Sequence, residues 1–270
     1  SENGQSETPS PTAPRCGISQ AVTILMINTG GENDVNSSQA INLVHIDPLK
    51  QEITLVSPPC NLWVNTPSLV KDYTISALPL CSIIPIINRS VAQEKRPEAL
   101  AAAYSSVLSD NLGIKMDHST VTSTASIKTI VAKLGKIEIN SDETISLFGI
   151  NLQNGSNELD ASSAALLFAA SPLDASSWVT VKRQNEIIKG IYAQLGDPSV
   201  SIPEILMASD VQTDLSEQDA TDLSCTLKEI QPEHIDFSDV IEQNSSTDAD
   251  GILRINDKEV LKSAITALFK

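Results

Sequence analysis

The sequence predicts an α/β domain of three layers, with a central mixed sheet between helices. Two observations predict it. Apolar strand-like runs crowd into the first sixty-odd residues, and from residue 97 onward helical periodicities alternate with short strand patterns. The 270 residues suffice for one large domain, and with aromatics at only 3% the core must be built from Leu, Ile, Val and Ala.

The elements follow in order. Residues 21–28 (AVTILMIN) read as a buried strand running into Thr29-Gly30-Gly31. Residues 41–46 (INLVHI) form a second strand, stopped by Asp47-Pro48, and residues 52–56 a third that closes a hairpin. Ser57-Pro58-Pro59 then breaks the sheet, because proline has no N–H to give a ladder. Residues 71–96 hold two prolines and two apolar runs without a clear period, and read as a loop with short elements over an apolar groove. Residues 97–112 are helical, with Leu100, Tyr104, Val107, Leu108 and Leu112 on one face and Gly113 as the stop. A helix at 126–134 (Ile127, Ile130, Val131, Leu134) precedes an alternating strand at 136–140. Further helices are expected at 161–170, 178–195 and 216–229, the last with Ser216 and Asp219 in a capping box. Asp257 caps a final helix whose inner face is Val260, Leu261, Ala264, Ile265 and Leu268. The expected organisation is a tether over 1–19, a main domain over 20–235, and a strand–helix extension over 236–270 packed onto it.

Composition excludes some functions. A net charge of −16 and only five arginines (Arg15, Arg89, Arg96, Arg183, Arg254) are the opposite of what a nucleic-acid binder needs. No stretch is apolar enough to span a bilayer. The first fifteen residues are rich in Ser, Thr, Pro and Gly and read as a flexible stalk, following an anchor or a lipoprotein link. Four cysteines without a C-x-x-C pair suit disulfides better than zinc, with four buried thiols as the alternative. Cys16 just before the first strand is expected to pair with Cys225 on a late helix. Cys60 and Cys81, which bracket the Pro-rich loop, are expected to form the second pair.

Walker, G-x-G-x-x-G, G-x-S-x-G and H-E-x-x-H motifs are absent. His45, His118 and His234 are scattered, and each reads as structural. No metal-ligand spacing emerges.

A resemblance runs along nearly the whole chain. TILMINTG (23–30), INLVHIDP (41–48), EITLVSPPCNLWV (52–64), TISAL (74–78), NLGIKMDH (111–118), IVAKLGKIEIN (130–140), LDASSAALLFAAS (159–171), VKRQNEII (181–188) and VQTDLS (211–216) resemble, in order and spacing, segments of the LytR–CpsA–Psr cell-envelope family. The resemblance implies an extracytoplasmic α–β–α domain with an apolar groove for a polyprenyl lipid. It also implies arginines that grip a pyrophosphate, aspartates that hold magnesium, and transfer of a glycopolymer from the lipid carrier to the cell wall. Arginine suits that task because its planar fork stays charged and meets phosphate oxygens two at a time. Magnesium needs hard carboxylate oxygens.

Most of the charged family positions are substituted. The first-strand Asp is matched by Gly30 and the following Arg by Glu32. The Asp of the next loop falls on Gln39, and the P-R-D pair on Cys60 and Asn61. The R-x-R pair falls in 169–172, where there is no arginine, and the Arg before R-Q falls on Thr180. Arg183 and Gln184 survive, Arg183 having the alternative reading of an exposed helix arginine near Glu186. The expectation is therefore a catalytically degenerate paralogue that binds or assembles in the envelope, without magnesium or another cofactor. Its expected partners are a polyprenyl lipid, an envelope glycopolymer or envelope proteins. An active phosphotransferase with relocated ligands (Glu32 or Asp34 replacing the lost carboxylates) and a plain surface protein are the alternatives. The expected location is extracytoplasmic, at the cell surface, tethered through a segment absent from this chain or secreted. Leu78, Ile83, Ile84, Ile86 and Ala165 are the candidates for lining the lipid groove.

Overall fold

The structure is a computed structural model and describes residues 17–31, 39–66, 76–142, 144–170, 177–208 and 210–270. Strands β1 (Val22–Asn28), β2 (Ala40–Asp47) and β3 (Glu52–Val56) form an antiparallel meander. Asp47 makes the β2–β3 turn by accepting, at Oδ1, the N–H groups of Leu49 and Lys50. Short strands β4 (Leu62–Asn65) and β5 (Ala77–Pro79) pair antiparallel and lead into helices α1 (Ile83–Ser90) and α2 (Arg96–Leu112). Gly113 ends α2 in the left-handed region at φ 72°, as a helix stop of this kind requires. Strand β6 (His118–Thr122) returns parallel to β1.

The second half alternates helices with short strands. A Ser123–Ser126 capping box starts α3 (Thr124–Leu134), followed by β7 (Ile137–Ser141), the hairpin β8 (Ile145–Leu147)–β9 (Ile150–Leu152), and β10 (Gly155–Leu159), which pairs with β7. Helices α4 (Ala161–Ala169), α5 (Ser177–Leu195) and α6 (Ile202–Ala208) come next, then β11 (Gln212–Thr213) and α7 (Glu217–Leu227). Ser216 and Asp219 form the reciprocal cap of α7. The chain ends with β12 (Ile235–Ser238), α8 (Val240–Gln243), β13 (Ser245–Thr247), β14 (Leu253–Ile255) and α9 (Lys258–Leu268), whose N-terminal N–H groups are capped by Asp257.

The central sheet has the order β11-β6-β1-β2-β3-β12 and is mixed, because β6 and β12 run parallel to their neighbours β1 and β3 while the other pairings are antiparallel. Alternate residues of its strands face opposite ways. Ile24, Val44, Ile46, Ile53 and Leu55 enter a core shared with α3, α4, α5 and α7, whereas Leu25, Ile27, Ile41, Leu43 and Val56 enter a second core with α1, α2 and α9. The predicted three-layer α–β–α arrangement is the one observed. Of the last residues, Ile235–Ser238 complete the central sheet as β12, and β13 and β14 join β4 and β5 in a second sheet of order β13-β14-β4-β5.

The short elements expected in the loop over 71–96 are, in its described part, the strand β5 and the two-turn helix α1. Pro85 occupies the third position of α1, where the N–H has no carbonyl to reach and proline costs little. On α9, Leu261 and Ile265 are buried, but Val260 faces outward at 54% exposure. Hairpin β8–β9 was not foreseen, since its tip, Phe148-Gly149, is no ordinary turn pair. Phe148 sits at φ 51° and Gly149 at φ 80°.

Candidate functional site

The segment joining β3 to β4 (SPPCN) approaches the start of β2 and the first half of α5. Gly30 lies just beyond β1 at φ 78°, a conformation that strains any residue with a Cβ. Its N–H donates to Asn28 Oδ1, and its carbonyl accepts from Thr124 N. The backbone at this family-matched position thus favours glycine. Cys60 Sγ lies 3.2 Å from the carbonyl oxygen of Gln39, so the structure does bring these two substituted positions together. Cys60 is disulfide-bonded to Cys81, which ties the loop to the segment entering α1. The arginine position of the family's P-R-D pair is thus occupied by a covalent staple. Asn61 beside it is exposed, and Thr180 is half-buried in the first turn of α5. Cys225 is also disulfide-bonded. Its expected partner Cys16, and Glu32 and Asp34, lie outside the described residues.

These residues do not fit magnesium. Gly30 offers no side chain, Gln39 only a neutral amide oxygen, and Cys60 a disulfide sulfur. Among the described residues, no three His, Cys, Asp or Glu side chains converge as a metal site.

Arg183 is not the exposed helix arginine that sequence allowed. It is 7% exposed, and its guanidinium turns back on the end of α4, donating from Nε to Leu167 O at 2.7 Å and from Nη2 to Ala170 O. Gln184 does the same from Nε2 to Phe168 O at 3.0 Å. Both surviving family residues therefore satisfy carbonyls that a helix end leaves without partners. Burial lowers the Arg183 pKa to about 10, so it remains charged at neutral pH.

Asn185, the next residue, faces a different network. Ser57 Oγ lies 2.6 Å from both Asn42 Oδ1 and Asn185 Oδ1, and all three side chains are buried. A hydroxyl has one proton, so it can donate to only one of these amides; the other must turn its NH2 toward Ser57. Ser57 and Asn185 form part of the wall of a cavity of about 310 Å³ at the β12 edge of the sheet. The apolar part of its wall includes Ile139, Ile145, Leu152, Trp178, Val181 and Phe237. Its charged part holds Lys182 and Arg183 against Asp142, Glu186, Asp239 and Glu242. Lys182 is paired with Glu242 at 3.4 Å. Glu186 accepts the N–H of Asn140 at 3.0 Å, and its pKa is raised, chiefly by burial.

The structure brings three of the lipid-groove candidates together and places the other two apart from them. Leu78, Ile83 and Ile84 are buried in the core on the α1–α2 face, and Ile86 is 38% exposed on α1. Ala165 is buried on α4, whose Ala164, Leu167 and Phe168 belong to the core on the opposite face. Sequence reading did not single out Trp178, Asn185, Ser57 or the carboxylates of the cavity. The signal present was thin: one of two tryptophans and a polar triplet, Arg183-Gln184-Asn185, on a helix face that proves to be buried.

The fold and this cleft define a three-layer α–β–α domain with a ligand-sized cavity at the edge of its sheet. The chain belongs to the LytR–CpsA–Psr family, whose profile matches residues 6–268. Its fold is similar to that of solved structures from B. subtilis: TagV (14% identity, 93% of this chain and 96% of that one, TM-score 0.66) and TagU (15%, 92% and 95%, TM-score 0.60). It is also similar to TagT bound to LI-WTA (15%, 93% and 90%, TM-score 0.63). A search of curated proteins found no match. Among the described residues, no helix is long and apolar enough to cross a membrane.

Proposed function

We propose that this chain is a non-catalytic member of its family, which holds an envelope glycopolymer on the outer side of the membrane without transferring it. The observation that carries this reading is the commitment of Arg183 to Leu167 O and Ala170 O. Pyrophosphate in a protein groove needs several converging cations. The other described arginines are placed elsewhere: Arg96 donates to Val91 O, Arg254 pairs with Asp248 and lies over Trp63, and Arg89 is exposed on α1. The disulfide between Cys60 and Cys81 supports an oxidising, extracytoplasmic location. That TagT has been seen bound to LI-WTA supports a glycopolymer as the bound partner here.

The test is an incubation of purified protein with a lipid-pyrophosphate-linked glycan, cell wall acceptor and magnesium. The expected result is retention of glycan by the protein with no glycan attached to the wall. Multiple turnovers of transfer would identify an active phosphotransferase instead.

A further inference from the structure

The cavity at the β12 edge has a lining that discriminates between the parts of a glycopolymer. Resting on the reading above, we infer that it takes an uncharged sugar ring, a phosphate-free unit of the polymer, and not the phosphate linkage.

Charge disfavours a phosphate in this cavity. Two cations meet four carboxylates in the cavity wall. Lys182 is already paired with Glu242, and Arg183 is turned toward two backbone carbonyls. A phosphate entering here would lose its hydration and face Asp142, Glu186 and Asp239 with no cation left over. Like charges brought together in a partly desolvated cleft are strongly unfavourable.

The chemistry of the wall suits a sugar ring. A sugar ring has an apolar face of C–H groups and an edge of hydroxyls, each both donor and acceptor. Trp178 supplies a flat apolar surface for the face. Asn185 supplies an edge partner: the only side-chain hydrogen bond it makes among the described residues is to Ser57, so one end of its amide remains for the cavity it lines. Whichever way the shared Ser57 proton points, that end is a donor or an acceptor, and a hydroxyl satisfies either. Glu186 spends one oxygen on Asn140 N and keeps acceptor capacity on the other. Carboxylates and amides around an aromatic ring suit hydroxyls, whereas a phosphate oxygen can only accept and would leave the carboxylates without partners.

The size of the cavity agrees. About 310 Å³ stands at the lower end of the range of about 300–1,000 Å³ found for small-molecule sites, room for one ring with its substituents rather than for a polymer segment.

The test uses the whole chain carrying Trp63→Phe, which leaves Trp178 as the single tryptophan. The probes are chitotriose, an uncharged saccharide, and inorganic pyrophosphate. The expected result is a saturable change in Trp178 emission with chitotriose and none with pyrophosphate at the same concentrations. Saturation-transfer NMR on the unmodified protein should show magnetisation reaching the sugar ring protons, a measurement that needs no variant. Trp178→Ala should weaken chitotriose binding at least tenfold. If that variant fails to fold, Val179→Trp on the exposed rim should obstruct the cavity to the same effect. Binding of pyrophosphate in place of the sugar, binding of neither, or unchanged sugar affinity in a folded Trp178→Ala protein would each overturn the inference. The first of these leaves the proposed non-catalytic role standing. Turnover in the transfer assay would remove that role and leave the sugar site standing, so the two failures are distinguishable.

Discussion

Arg183 donates through Nε to the carbonyl of Leu167 across 2.7 Å, reaching back from α5 to the end of α4 sixteen residues earlier. A second donation, from Nη2 to Ala170 O, makes the guanidinium a clamp on that helix end. Both carbonyls are in a region where water cannot easily replace the arginine, since Leu167 is fully buried and Ala170 is 3% exposed. Removing the side chain leaves two buried acceptors unmet, each costing about 1–3 kcal/mol. Arg183→Ala is expected to lose about 2–4 kcal/mol of stability in urea denaturation. Arg183→Lys should recover only part of this, because one ammonium cannot reproduce the fork. A residue kept for phosphate binding would behave in the opposite way, with Arg183→Ala leaving stability near that of the parent.

The staple between Cys60 and Cys81 closes a loop of 21 residues in sequence separation. In the chain-entropy account, a loop of this size restricts the unfolded state by about 3 kcal/mol. The paired change Cys60→Ser and Cys81→Ser is expected to lower the unfolding free energy by about that amount, as measured by denaturant titration under non-reducing conditions. A loss well under 1 kcal/mol would show that the SPPC loop is held by its packing rather than by the bond.

Much of this architecture was legible in the sequence, for definite reasons. Strands β1, β2 and β3 are buried on both faces and read as near-continuous apolar runs ended by Gly30, Pro48 and Pro58. Helix α7 announces itself through Ser216 and Asp219, and α9 through Asp257. What stayed hidden depended on partners distant in sequence. Nothing in the segment around Arg183 reveals that the carbonyls of Leu167 and Ala170 arrive beside it. The pairing of Ser57 with Asn185 spans 128 residues and joins a loop to a helix, so no local pattern marks it. Substituted charges at Gly30, Gln39 and Cys60 could be read by alignment with the family pattern. The Cys60–Cys81 staple was expected from the sequence and is formed, whereas the left-handed turn at Gly30 became visible only in three dimensions.

Gly190 marks where α5 crosses β7 most closely. A Cβ added there would stand 2.6 Å from Glu138 O and 3.3 Å from Ile137 Cβ, both on that strand. The carbonyl is backbone and cannot swing aside, so the helix itself would have to lift. Because α5 also carries Arg183 and Asn185, lifting it disturbs the α4 clamp and the cavity together. Gly190→Ala, which would stabilise an ordinary helix, is expected here to cost about 1–3 kcal/mol through overpacking. Thermal denaturation checks this, and an unchanged or raised melting temperature would contradict the close approach.

The imidazole of His45 is stacked under the ring of Phe269, with centroids 4.2 Å apart and planes 5° from parallel. Its Nδ1 is 3.0 Å from Thr23 Oγ1, its Nε2 is buried without a partner, and the residue is 6% exposed. Burial lowers its pKa below the ordinary value of 6.5; Lys50 works in the same direction, and Asp47 and Asp117 oppose it without prevailing. In the window between that depressed value and 6.5, the unfolded chain binds the proton more readily than the folded one. The stability that depends on neutral His45 is therefore fully present above pH 6.5 and is lost as pH falls toward the folded pKa. The carboxylates with depressed pKa values, Asp47, Asp160, Asp197, Asp219 and Asp248, act in a separate and more acidic range, below their ordinary 3.8. Urea midpoints measured from pH 7.5 down to pH 5 should fall for the parent protein. For His45→Phe, which keeps the stack and removes the titrating group, the decline should be shallower. Parallel declines in the two proteins would show that the proton is taken up elsewhere.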